Sequence, residues 1–109
     1  MKRPHYFVQV LEIACLIPEG RVSTYGAIAD YLALGSARMV GWAMKNSFHS
    51  EEMVPAHRVV NGKGELSGRN AFDHPDLMAE LLKSEGVEVV NNKVVRFKEV
   101  FWHPEELEG

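Results

Sequence analysis

Cysteine is almost absent. The 109 residues hold one, Cys15, so an intrachain disulfide and a four-cysteine zinc site are both excluded. No run approaches ~18 apolar residues, which leaves no candidate for a membrane-spanning helix. The opening Met-Lys-Arg-Pro-His-Tyr lacks an apolar signal-peptide stretch, so a reducing cytoplasm is the expected compartment. Phosphate cradles of GxGxxG or P-loop type are missing, and Gly62-Lys63-Gly64 reads as a turn. The five histidines, His5, His49, His57, His74 and His103, do not fall at metal-ligand spacings. No cofactor and no metal is expected. Internal repeats and low-complexity segments are also lacking.

What is present is ordinary globular composition, 46% apolar and 25% charged, which argues against a disordered chain. The length predicts one domain over 1–109 with one core, an acidic tail from about 103, and a monomer. The net charge of −3 argues against a nucleic-acid binder when taken whole. It is unevenly spread: residues 21–72 carry six Lys/Arg against four Asp/Glu, and residues 73–109 carry four against nine. A mildly basic middle precedes an acidic last third, a weak signal by itself.

Hydrophobic spacing predicts a first helix from His5 to Ile17, with Phe7, Val10, Leu11, Ala14 and Cys15 on its apolar face. Cys15 is expected to be a buried, inert thiol. Pro18 ends this helix. Ser23 or Thr24 caps a second helix that buries Ile28, Ala29 and Leu32 and closes at Gly35. Ser36 caps a third, Ala37 to about Asn46, and the two helices form a helix-turn-helix candidate. Arg58-Val59-Val60 reads as a strand, Asn61 to Gly64 as a hairpin turn, and Glu65-Leu66 as the return. A fourth helix starts at Asp73 or His74, with Pro75 near its first position. It buries Leu77, Leu81 and Leu82 and stops at Gly86. Val87 to Val90, Asn91-Asn92 and Val94 to Phe97 form a second hairpin, and the chain is expected to be loose beyond Pro104. The fold class is mainly α: a small helical domain with a winged-helix-like helix-turn-helix and short β-hairpins. Residue chemistry alone stops there.

Several motifs in register carry the reading further. Ile17-Pro18-Glu19-Gly20-Arg21-Val22-Ser23-Thr24-Tyr25-Gly26, Ala37-Arg38-Met39-Val40-Gly41, Asn46, Pro55-Ala56-His57-Arg58-Val59-Val60, Leu81-Leu82 and Glu85-Gly86 resemble the DNA-binding domain of O6-alkylguanine-DNA alkyltransferases. The order holds over roughly 5–90, and Phe101-Trp102-His103-Pro104 resembles the end of alkyltransferase-like proteins. The enzymes of this family accept the alkyl group on a cysteine in Pro-Cys-His-Arg-Val. Here that position is Ala56, whose methyl has no lone pair. The resemblance therefore implies a non-enzymatic protein that binds double-stranded DNA containing O6-alkylguanine. It further implies docking in the minor groove, flipping of the nucleotide, and marking for nucleotide excision repair proteins.

The resemblance also implies roles. Arg38 fills the gap left by the flipped base, where the bland alternative is a surface arginine at a helix start. Ser36, Ala37 and Gly41 are small and admit a close approach to DNA. Thr24 and Tyr25 meet a phosphate, with a buried structural tyrosine as the alternative. The pocket is expected to be lined by Tyr25, Asn46, Ala56, Val59, Arg69 and Asn70, with Asn46 tying the helix-turn-helix to the pocket turn. Arg69-Asn70 replaces the Tyr-Ser pair usual in the enzymes. His57 and Glu85 are a proton relay without a task, or Glu85 is merely the last acidic residue before a capping glycine. Two other readings compete: a sequence-specific helix-turn-helix regulator, and an enzyme in which His57 and Glu85 activate water.

Overall fold

The computed structural model describes residues 5–49 and 53–108. Helix α1 (His5–Leu16) is followed by the two-residue strand β1 (Ser23–Thr24), then α2 (Tyr25–Tyr31) and α3 (Ala37–Asn46). A 3-10 turn at Ala56–Arg58 leads into β2 (Val59–Val60), and another lies at Arg69–Ala71. Helix α4 (Leu77–Ser84), the strands β3 (Val89–Val90) and β4 (Lys93–Val94), and the short helix α5 (Phe97–Val100) complete the order. A 3-10 turn follows at Pro104–Leu107.

The helical half forms as its apolar spacing demands. Phe7, Val10, Leu11, Ile13, Ala14 and Ile17 bury against Ile28, Ala29, Val40, Ala43 and Met44. Cys15 is exposed rather than buried. Ile13 and Ile17 draw the centre of the stripe to the other side of Val10. Cys15, about 40° past Leu11 on a helix turning about 100° per residue, then falls off the edge. Thr24 is the N-cap of α2, its hydroxyl accepting the Ala27 N–H at 3.0 Å. The helix does not run to Gly35. It stops at Tyr31, and Ala33 takes the left-handed conformation (φ 55°). Leu34 N–H then donates to Ala29 O and Ala33 N–H to Asp30 O, closing a Schellman motif two residues before Gly35. The tight reversal stands α3 across α2.

β2 sits between two cores. Val59 belongs to the helical one, while Val60 joins Val22, Leu66, Met78, Leu82, Val87, Val89 and Val94 in the other, as alternation along a strand requires. β2 pairs in parallel with β1, Ser23 opposite Val59 and Thr24 opposite Val60. The turn after β2 closes as expected, Gly64 N–H donating to Asn61 O and Asn61 N–H to Glu65 O, but Glu65-Leu66 does not extend it into a ladder with β2. Asn61 Oδ1 also accepts the N–H groups of Lys63 and Glu65, curling the loop, and Glu65 bridges Lys93. The second hairpin turns where expected, with Asn91 and Asn92 both at positive φ, but its arms are shorter than Val87–Val90 and Val94–Phe97: they are Val89–Val90 and Lys93–Val94, after which Arg96 turns left-handed (φ 57°) and Phe97 begins α5.

α4 begins after Asp76, later than the sequence suggests, and buries Met78, Ala79 and Leu82; Leu77 and Leu81 are only half-buried. Gly86 (φ 88°) ends it, with Val87 N–H donating to Leu82 O. The tail is docked rather than loose. Val22 N–H donates to Val100 O, Trp102 N–H donates to Val22 O at 2.7 Å, and Trp102 and Pro104 are buried. Arg21 holds the Val100 and Phe101 carbonyls and pairs with Glu106 at 3.2 Å. His103 and Glu106 cap the last turn reciprocally.

Candidate functional site

A cavity of about 320 Å³, within the usual range for small-molecule sites, opens where α3, the Ala56–Arg58 turn and the Ser67–Phe72 loop meet. Gly41, Met44 and Lys45 of α3 form one wall. Phe48, Ala56 and Met78 line it further, and Ser67, Gly68, Asn70, Ala71 and Phe72 close it together with Tyr25. Phe48 and Phe72 meet edge to face at 4.9 Å. Burial pushes the Tyr25 phenol above its usual range, against a lowering hydrogen bond with Ser67, so the hydroxyl stays protonated. A Cβ on Gly68 would stand 2.8 Å from the Tyr25 hydroxyl, which explains glycine there.

Of the six residues expected to line the pocket, Tyr25, Ala56 and Asn70 do so. Val59 is fully buried behind the wall because its strand turns it into the helical core. Arg69 folds back, its Nη1 donating to Leu66 O at 3.0 Å, while Asn70 takes the lining position. Asn46 ends α3 and makes no side-chain hydrogen bond to the Ala56–Arg58 turn among the described residues, so it is not the expected tie. Sequence reading missed Met44, Lys45, Phe48, Ser67, Gly68, Ala71, Phe72 and Met78. Met44 and Met78 look like any core methionine, and the 67–72 loop has no period to betray it.

The tie is made elsewhere. His57 Nε2 lies 2.8 Å from Glu85 Oε2. Arg58 donates from Nε to Oε1 at 2.9 Å and from Nη2 to Oε2 at 2.6 Å, and its Nη1 reaches Ile17 O at 2.9 Å. Burial alone would raise the Glu85 carboxyl. The hydrogen bonds from Arg58 and His57, with their charges, outweigh it and bring the group down to about 2. Glu85 is thus a brace joining the end of α1, the turn and the end of α4.

Ala56 presents only a methyl. It also lines a second cavity of about 480 Å³ shared with Cys15, Met53, Val54, Pro55, His57 and Leu81. On the outer face, Ser36, Ala37 and Arg38 are exposed at the start of α3, and the Ser36 hydroxyl caps no N–H. The first-turn N–H groups therefore lack a side-chain acceptor, as a phosphate site needs. Among the described residues Arg38 makes no ion pair. Thr24 differs from expectation: it is buried, and its oxygen is committed to the cap. One group of possible metal ligands does come together, Asp30, His103 and Glu105, all within 4.8 Å. His103 Nδ1 already accepts the Glu105 N–H.

Residues 5–87 match the family model of the 6-O-methylguanine DNA methyltransferase DNA-binding domain. The chain belongs to this family. Within the family it is 38% identical to "Alkyltransferase-like protein 1" of Schizosaccharomyces pombe over 109 residues, covering 95% of this chain and 100% of that protein. It is 34% identical to a "DNA base-flipping protein" of Vibrio parahaemolyticus over 102 residues, covering 91% of this chain and 97% of that one. Its fold matches S. pombe Atl1 solved in complex with damaged DNA containing O6-carboxymethylguanine, with a TM-score of 0.79 at 36% identity, over 95% of this chain and 100% of that one. Mycobacterium tuberculosis OGT in complex with DNA matches with a TM-score of 0.64 at 32% identity, over 77% of this chain and 51% of the longer OGT chain. The chain is an alkyltransferase-like member of the family.

Proposed function

We propose that the protein recognises O6-alkylguanine in DNA without repairing it, binding the minor groove and holding the flipped nucleotide in the cavity beside Tyr25. The observation that carries this is Ala56. A methyl group stands on the wall of a cavity of about 320 Å³, in the Pro55-Ala56-His57-Arg58-Val59 string that resembles the enzymes' Pro-Cys-His-Arg-Val. A relative of matching fold was solved on DNA containing O6-carboxymethylguanine. Flipping costs a few kcal/mol, less for a damaged base that pairs poorly, which favours the lesion. Exposed Arg38, beside the pocket wall, is suited to fill the vacated stack. Excision-repair proteins are the partner class this reading implies, since a bound lesion that is not repaired must be handed on.

The test is a titration of a duplex with one O6-methylguanine against the same duplex undamaged, with the methyl group radiolabelled. Preferential binding with no label on the protein is expected. Equal affinity would reject lesion recognition. Label transferred to Cys15, which shares a cavity with Ala56, would show an enzyme instead. Arg38→Ala should weaken lesion binding by roughly 1–3 kcal/mol and lower the signal of a fluorescent base reporter of flipping at saturation. A full signal at saturation would reduce Arg38 to a positioning cation.

A further inference from the structure

The outer ridge of α3 carries Arg38, Gly41, Trp42 and Lys45, at the i, i+3, i+4, i+7 spacing of one helix face. Trp42 is 54% exposed, and among the described residues no ring stacks on it. A helix turning about 100° per residue orders this ridge. Gly41 and Lys45 line the lesion cavity. Arg38 lies next, and Trp42 about 40° beyond it, on the side away from the cavity. A large aromatic between two cations, continuous with a nucleotide-sized pocket, has the chemistry of a nucleic-acid contact.

We infer that Trp42 is a second DNA contact, packing on the sugar edge of the strand opposite the flipped nucleotide. This rests on the minor-groove reading above. If the cavity takes one strand on one side of Arg38, the other strand passes on the Trp42 side. Apolar side chains are a regular part of minor-groove interfaces. Such a contact is independent of the lesion and adds to affinity for any duplex.

Two tryptophans make this measurable, because Trp102 is 3% exposed and serves as the buried reference. Acrylamide quenching of the free protein should report mostly Trp42. On saturation with the lesion duplex it should fall to the level of free Trp42→Phe. Trp42→Ala should weaken binding to lesion-bearing and undamaged duplexes alike, roughly five- to fiftyfold, leaving their ratio unchanged. A benzophenone side chain at position 42 should photo-crosslink to the strand opposite the lesion. Undiminished quenching in the complex, wild-type affinity of Trp42→Ala, or crosslinking to the lesion strand would each overturn the inference. If Trp42 is covered but the wild type binds both duplexes equally, the contact stands and lesion recognition falls.

Discussion

Glu85 stabilises the protein through charge. Its carboxylate is held by Arg58 and His57, and it ionises at about 2 in the folded protein against an ordinary 4.5. The stabilisation is therefore complete above about pH 4.5 and is lost as pH falls towards 2. Glu85→Gln should cost roughly 2–4 kcal/mol at neutral pH, because Arg58 loses its charged partner and one of its two side-chain acceptors becomes a donor. It should also flatten the acid limb of stability over that window, read by denaturant unfolding at several pH values. Gly68 gives a different expectation. Its backbone is unstrained (φ −90°), so Gly68→Ala should leave the melting temperature nearly unchanged. The added methyl displaces the Tyr25 hydroxyl, so lesion affinity should fall while affinity for undamaged duplex holds. Equal loss on both duplexes would count against Tyr25 as a pocket wall.

At the scale of elements, what could be read from the sequence followed periodicity. Helix α3 has the predicted limits, because Val40, Ala43 and Met44 keep one face, although the Ser36 hydroxyl does not cap it as expected. The Asn91-Asn92 hairpin was equally plain, since both asparagines tolerate positive φ. The end of α2 was not. Gly35 was the obvious stop, yet Ala33 bears the left-handed turn at about 1 kcal/mol or more of strain. Ala33→Gly should therefore stabilise the protein by roughly 0.5–1 kcal/mol, raising the melting temperature by a few degrees in calorimetry. A decrease would mean that the methyl makes contacts worth more than the strain. The parallel pairing of β1 with β2 and the docking of the tail on Val22 were also hidden, because both join segments far apart in the chain and leave no local pattern. The pocket residues known in advance came from a motif match, and the 67–72 wall came from neither motif nor period.

Over the whole molecule, the cations of the basic middle do unequal work. Arg21 pairs with Glu106, Arg58 with Glu85, and Arg69 is turned to Leu66 O. Arg38, Lys45 and Lys63 make no ion pair among the described residues. The acidic last third further reduces the pull on DNA. Affinity for duplex should therefore fall with salt on a shallow slope, consistent with on the order of three to five phosphate contacts. Arg38→Ala should lower that slope by about one contact, and Arg21→Ala should leave it alone. A salt-independent affinity would remove the case for backbone contacts.

The brace around the pocket turn has a consequence for exchange at residue 56. His57 and Arg58 anchor the turn to Glu85 and Ile17, while Ala56 is buried at the edge of the helical core, where its methyl also lines both cavities. The polar anchors of the turn are made by the neighbours of residue 56, so its side chain takes no part in them. An exchange there that keeps the side chain small leaves those anchors in place and alters the two cavities that the methyl lines.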